Sequence, residues 1–430
     1  MENTEDKIKT KTEEAGFCPE SLLYTVFGEN AEGIGVTWTT PDDRGGCVEY
    51  TDADDPEFLC ARRAEAEVSD GVDGYRNSAV IPAAELGELS LIRLARGEEH
   101  TAAEPFRPIT QDAKNGADLS FLVMTDSQND EELDGRRWRP AFAHAFSHYP
   151  EAQFIVHGGD FVQQSGIGTQ WADMIRDNAE YLHYLPLLPA TGNHENWDWA
   201  TNGYTETFFK HFTLSYPPQD TLYGIYYSVN IGLVHFTVLN SGESAGFGEQ
   251  RVLSPEQEEW MIADLKAAKA PWKIVVIHNP FYSPGKYGSR YNRLALDLRK
   301  RYCAFFAEVG VDLVLSGHDH IYSRTYPVTG DGVIRSGVRM LGDESDRTFV
   351  DPEGPVYVVG CCCGNQYRGI ECDFEEDLRY FEHITSQKSG EVGYFGVRVS
   401  RDRLVLTNHV IRFRDGEETK TEKFTLLKNR

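Results

Sequence analysis

From residue 119 onward the chain alternates short apolar runs with segments whose apolar residues recur at helical spacing. That alternation restricts it to an α/β core with sheets covered by helices. The runs are "LSFLVM", "QFIV", "LPLLP", "WKIVVI" and "VDLVL". Between them, helical spacing places Trp138, Phe142, Ala145 and Phe146 on one face, Trp171, Ile175, Asn178 and Leu182 on a second, and Leu294, Leu298, Phe305 and Val309 on a third. A further helix opens at Ser254, an N-cap followed by Pro255 at the first helical position and by Gln257 to complete a capping box.

Each apolar run stops on the same kind of residue. "LSFLVMTDSQ" ends at Asp126 and Gln128, "QFIVHGGD" at Asp160, "LPLLPATGNHE" at Asn193 and His194, "WKIVVIH" at His278, and "VDLVLSGHDH" at His318 and His320. Open α/β sheets bind ligands at the carboxyl ends of their strands. Carboxylate, amide oxygen and imidazole, with no thiolate, suit Mn(II), Fe or Zn(II). The glycine before Asp160 lets each carboxylate oxygen face a different ion, and the i, i+2 pair His318 and His320 reaches two neighbouring ions from one turn. Two ions about 3.5–4 Å apart can hold a hydroxide at neutral pH and neutralise a phosphoryl group during in-line displacement.

The first quarter of the chain reads differently. "LLYTVF", "GIGVTWTT" and "SLIRLA" are strand-like, separated by Asp, Gly and Pro clusters, and suggest a small β-sandwich over residues 20–112. The polar stretch "PFRPITQDAKNGAD" connects it to a second unit, 113–430, and residues 1–19 read as a solvated tail. With 42 Lys and Arg against 68 Asp and Glu, the net charge is −26. No basic block exists to follow a nucleic-acid backbone, so neither nucleic acid nor an anionic membrane is expected as a partner. Bound metals could still set a local positive field for an anionic small molecule. The N-terminal stretch lacks a hydrophobic core and no run is long enough to span a bilayer, which points to the cytoplasm, or to secretion if the chain is a processed form. Eight cysteines without CxxC spacing are expected to be mostly reduced and buried, the run Cys361-Cys362-Cys363 among them.

Taken in order, "D-x-Q", "GD", "GNHE", "VVIHNPFY" and "GHDHIYSRTYP" resemble the calcineurin-like metallophosphoesterases, most closely their purple acid phosphatase branch. The resemblance implies a four-layer α/β/β/α catalytic fold preceded by a fibronectin-like β-sandwich. It implies two divalent metal ions, bridged by Asp160, with Asp126 and His320 on one and Asn193, His278 and His318 on the other. His194 would contact a phosphate oxygen or protonate the leaving alkoxide. The branch carries a tyrosine ligand three residues after the bridging Asp, where this chain has Gln163, so no tyrosinate-to-iron colour is expected. Where the wider family has His, this chain has Gln128, a candidate ligand to the first metal or to its water. Tyr282, Tyr322 and Arg324 are candidate pocket residues, and Trp197 and Trp199 either form a substrate platform or pack a loop. His157, His183, His235 and His409 read as satisfied polar residues, and the acidic stretch 129–134 as a solvated loop.

The implied activity is hydrolysis of phosphate monoesters of small molecules by a metal-bound hydroxide. A phosphodiesterase acting on nucleotides or lipid head groups is the alternative enzyme, and a metal-poor binding or scaffolding protein the alternative from another class.

Overall fold

A computed structural model describes residues 17, 19–128, 134–198, 203–219, 224–242, 253–287, 292–330, 332–333, 339–364, 366–371 and 378–429. Most of the expected tail, most of the acidic stretch 129–134, and Trp199 lie outside the described residues.

Two large sheets face each other. One has twelve strands and the other seven, and both mix parallel and antiparallel pairs. Within the seven-stranded sheet, period-two alternation divides each buried strand between two cores. Along Trp272–Ile277, Trp272, Ile274 and Val276 point into the core between the sheets, while Val275 and Ile277 point into a second core beneath the helices. Leu313 and Leu315 repeat the first pattern and Val314 the second. Phe236 closes the interface, its ring 5.4 Å from Phe121 and 5.7 Å from Phe154 of the twelve-stranded sheet.

Helices cover the outer faces, giving the four layers that the resemblance implied. Arg139–His148 packs on the twelve-stranded sheet and buries Ala141, Phe142 and Ala145. Pro255–Ala267 packs on the other sheet, its Ser254 Oγ accepting from the Gln257 N–H at 3.1 Å. Arg293–Glu308 also lies on that side, burying Leu298 and Phe306. The helix expected through Leu182 is broken. Gly168–Asp177 stops and Ala179–Leu182 restarts at Asn178, whose backbone leaves the helix at φ −122° and whose side-chain amide donates to the carbonyls of Gly135 and Met174, each at 2.8 Å.

In the N-terminal part, Tyr24, Ile34, Val36, Trp38, Val48, Tyr50, Ile81, Ile92, Leu94 and Phe106 bury a core between two sheets. One of these sheets is not separate. Its Glu20–Phe27 strand pairs in parallel with Leu187–Pro189, Thr25 opposite Leu187, so it continues the twelve-stranded sheet.

Register gathers the polar residues. Met124 stands opposite His157 and His157 opposite Pro189, so the three parallel strands end level and turn into Asp126, Asp160 and Asn193 together. In the facing sheet Val276 stands opposite Leu315 and Ser316 opposite Val359, so His278, His318 and the cysteine run emerge at one edge.

Candidate metal centre

The strand ends are tied to one another before any side chain acts. The Gly158 N–H donates to the Met124 carbonyl at 2.8 Å, Asp126 N–H to Gly159 at 3.1 Å, and Gly317 N–H to His278 at 3.0 Å. Four of the resulting loop residues, Asp126, Asp160, His318 and His320, have φ between 55° and 72°. Left-handed backbone is costly for such residues and persists where the surrounding structure over-determines it, typically at functional sites. Gly159 shares this geometry at φ 98°, and a Cβ there would stand 2.8 Å from His278 Nδ1.

Across the gap between the sheets, the His318 N–H donates to both carboxylate oxygens of Asp126, at 2.9 and 3.0 Å. Thr125 Oγ1 adds a third donor to that carboxylate at 2.7 Å. The His194 N–H donates to Asp160 Oδ1 at 2.9 Å. Asp126, Asp160, His278, His318 and His320 are all buried.

Backbone carbonyls decide which imidazole nitrogens face inward. His278 Nδ1 is 2.9 Å from the Gly158 carbonyl, His194 Nδ1 is 2.8 Å from that of Gln163, and His320 Nδ1 bonds that of Gln366. Each carbonyl accepts a hydrogen bond from Nδ1–H and so turns Nε2 toward the site, the orientation of a metal-ligating imidazole. His278 Nε2 lies 3.0 Å from Asp160 Oδ2 and 3.2 Å from Asn193 Oδ1. The donor atoms of Asp160, His278 and His318 fall within 4.8 Å of one another. His320 Nε2 lies 3.2 Å from Asp126 Oδ1. The Gln128 amide nitrogen donates to the carbonyls of Asp126 and Asp160, at 3.2 and 3.3 Å, which turns its oxygen toward His320 Nε2 at 3.3 Å. Two knots of oxygen and nitrogen lone pairs result, with Asp160 between them, and an N/O donor set of this kind fits a hard or borderline cation.

Without an ion, the facing carboxylates favour a proton on the Nε2 atoms of His278 and His320. Burial works against the Asp126 carboxylate, but His320 and His278 together outweigh it and hold the carboxyl at about 2. Burial also opposes charge on His278, yet Asp160 pushes it up to about 9.

Sequence reasoning missed Glu195, although it ends the quoted "GNHE". Its oxygens accept the N–H groups of Asp160 and Phe161, each at 2.8 Å, and of Gly192 at 2.9 Å. Burial first, and then the Asp160 carboxylate, push Glu195 up to about 8 against those donors. Gln163, at the place of the missing tyrosine, turns its side-chain oxygen to the Gln366 amide at 2.9 Å, and Gln366 in turn accepts from His320. Arg368 donates to the His318 carbonyl at 3.1 Å and stacks on Tyr287, whose ring is 4.2 Å from His318.

The other predicted residues have separate partners. Arg324 is buried on Glu382 at 2.6 Å and on the Tyr322 hydroxyl at 3.0 Å. Tyr282 packs in the helix-side core under Arg299. Trp197 is half-buried. His157, His183 and His235 meet Ser127, Glu104 and Asp264. All six described cysteines are free thiols, and Cys60 alone among them is exposed. The buried cysteine run is a clasp beneath Asp126: Cys363 N–H donates to the Thr125 carbonyl at 3.0 Å and Gly364 N–H to that of Asp126 at 3.1 Å.

Comparison with known proteins agrees with this geometry. Residues 119–322 match the family model of the calcineurin-like phosphoesterases. "Acid phosphatase type 7" of Danio rerio is 27% identical over 228 residues, 48% of this chain and 47% of that protein, so the match spans about half the relative's length. "Fe(3+)-Zn(2+) purple acid phosphatase 12" of Arabidopsis thaliana is 22% identical over 354 residues, 77% of this chain and 71% of the relative. Purple acid phosphatase PPD1 from yellow lupin (Lupinus luteus) seeds superposes with a TM-score of 0.70 at 17% identity, covering 96% of this chain and 74% of the lupin chain. Residues 119–322 are therefore similar to a calcineurin-like phosphoesterase domain, in a chain with the fold of a purple acid phosphatase.

Proposed function

We propose that the protein is a metal-dependent phosphatase acting on small phosphate monoesters, with residues 113–430 as its catalytic unit and 20–112 as an attached β-sandwich. The observation that carries this reading is the convergence of His278 Nε2, Asn193 Oδ1 and Asp160 Oδ2 opposite a second convergence of His320 Nε2, Asp126 Oδ1 and the Gln128 oxygen. In this reading Asp160 would help to hold two divalent ions. Asp126, His320 and Gln128 would hold one, and Asn193, His278 and His318 the other. When bound, the ions supply an activated water at neutral pH and neutralise phosphoryl charge.

His194 serves the leaving group. Its Nδ1 is held by the Gln163 carbonyl and its Nε2 stands 3.9 Å from Asp160 Oδ2, with the side chain 10% exposed at the site. In the doubly protonated form, the Nε2 proton of His194 can pass to a departing alkoxide while Nδ1–H stays on the Gln163 carbonyl, a contribution of about 10²- to 10⁴-fold. Asn193 and His278 share the second position, so losing either removes a ligand without disturbing the sheets.

The deciding experiment measures metal per chain on protein purified without added metal, and p-nitrophenyl phosphate turnover before and after adding Mn(II), Zn(II) or Fe(II). Bound metal, with turnover that Asn193→Ala and His278→Ala each abolish in a folded protein, is expected. Full turnover in both variants, or neither metal binding nor turnover under any addition, would overturn the assignment.

A further inference from the structure

On the outer side of the twelve-stranded sheet, away from the strand ends, three imidazoles gather around one carboxylate. His144 and His148 are four residues apart on the Arg139–His148 helix, a spacing that puts two side chains on one face. Their rings stack with centroids 3.8 Å apart. Beneath them His409, from the Arg403–Arg412 strand, has its ring 5.4 Å from that of His144 and 6.1 Å from that of His148. Glu418, from the adjoining Glu418–Leu427 strand, sets Oε1 2.5 Å from His409 Nδ1. Ligand atoms of His144, His409 and Glu418 all lie within 4.8 Å of one another. His409 is buried, His144 half-buried and Glu418 exposed, so the cluster has a dry floor and an open rim.

Outer partners hold the rings ready. The Tyr394 hydroxyl is 2.8 Å from His144 Nδ1, and His148 Nδ1 is 2.9 Å from the His144 carbonyl, which leaves Nε2 of both rings available. The Tyr149 hydroxyl lies 2.9 Å from His409 Nε2. If His409 carries its proton on Nε2 and donates it to Tyr149, Nδ1 presents a lone pair beside Glu418 and no net proton is released. Orienting contacts of this kind accompany most histidine ligands. Burial first, and then His148, push His144 down to about 4, so its imidazole is neutral at physiological pH, as a ligand must be. The nearby Arg398, stacked over Tyr149, is bonded to Glu151 at 2.6 Å. A satisfied core histidine would need only Glu418 and Tyr149. The stacked pair above it goes beyond that need.

We propose that His144, His409 and Glu418, with His148 as the adjacent fourth ligand, form a separate site for a borderline divalent transition ion such as Zn(II), Co(II), Ni(II) or Cu(II). Imidazole and carboxylate donors on a helix and two strands match the ligand preferences of these ions. An ion there would clamp the Arg139–His148 helix to the sheet strands beneath it. None of the four residues belongs to the strand-end centre.

The test uses the tag-free full chain, stripped with chelator and titrated with Cu(II), read by electron paramagnetic resonance and by metal content after desalting. The His278→Ala chain, weakened at the strand-end centre, should retain one Cu(II) with nitrogen hyperfine structure from imidazole. Adding Glu418→Gln or His144→Gln to that chain should weaken this Cu(II) at least tenfold. Glu418→Gln alone, at an exposed position, should leave p-nitrophenyl phosphate turnover and the circular dichroism spectrum as in the parent. Equal Cu(II) content and affinity with and without Glu418→Gln and His144→Gln, or loss of all bound Cu(II) on His278→Ala alone, would overturn the proposal.

Discussion

Replacing Glu195 by Gln, compared at pH 9 where a carboxyl pushed up to about 8 is ionised, tests whether a buried anion holds the Asp160 loop. Glu195 accepts three backbone N–H groups, two on one oxygen and one on the other. A glutamine keeps one oxygen. In its better orientation that oxygen takes Asp160 and Gly192, and the amide nitrogen then faces the Phe161 N–H where the carboxylate contact was 2.8 Å. One buried donor is orphaned, at about 1–3 kcal/mol. The two surviving bonds lose their charge assistance, which roughly doubles the strength of such bonds and adds about 1–2 kcal/mol. The expected loss is about 2–5 kcal/mol, a large part of the ~5–15 kcal/mol that holds a typical domain. Urea unfolding followed by tryptophan fluorescence should show the midpoint falling by on the order of 1 M, given a slope of about 3 kcal/mol per molar for a chain this size. Metal retained after desalting should fall with it, because the same contacts set the backbone of Asp160. A loss below about 0.5 kcal/mol would mean that Glu195 is a neutral acid in the folded protein, and would refute the argument.

Two other perturbations probe different parts. At Gly317 a Cβ would stand 2.1 Å from Thr125 Oγ1 and 2.4 Å from Asp126 Oδ2, so Gly317→Ala should displace Asp126 and lower metal content toward one ion per chain, read by elemental analysis; undiminished content would count against Asp126 as a ligand. Burial opposes charge on Glu422, but His383 at 3.0 Å, Thr385 at 2.5 Å and Asn408 at 3.0 Å hold it at about 2, below its ordinary 4.5. A depressed carboxyl contributes stability that is present above pH 4.5 and lost as pH falls toward 2. After allowance for solvent screening that contribution is about 1–2 kcal/mol, so thermal melting of Glu422→Gln should lie below wild type at pH 7, with the gap narrowing below pH 4.5 and closing near pH 2. A gap that stays constant with pH would exclude the linkage.

The gathering of the strand-end residues was legible because apolar runs predict strands, and strands in an α/β core deliver their next residues to one edge. Asp126, Asp160, Asn193, His278, His318 and His320 needed only that inference. Glu195 was hidden because an acid in the first turn of a helix has an ordinary explanation. Gln366 and Arg368 reach the site from a loop about 40 residues beyond the last motif, and no period connects that loop to His318 or His320. Tyr322 and Arg324 were near the motif in sequence, but both lie buried in a strand where Arg324 is claimed by Glu382. The cysteine run resisted explanation until the strand order showed it beneath Asp126, where the backbone, more than the thiols, makes the contacts.

The continuous twelve-stranded sheet sets where this chain can be cut. The stretch matching the family model, residues 119–322, has its first strand flanked by Glu391–Val399 on one side, and its Leu187–Pro189 strand flanked by Glu20–Phe27 on the other. An expression fragment trimmed to that stretch would bare two sheet edges, each a row of unpaired amides and carbonyls that invites another chain to add on. The segment that carries the sequence signature is thus smaller than the segment whose strands flank one another in the sheet. A gene fusion or truncation in this architecture must keep the N-terminal strands and the C-terminal hairpin together with the strand ends they flank.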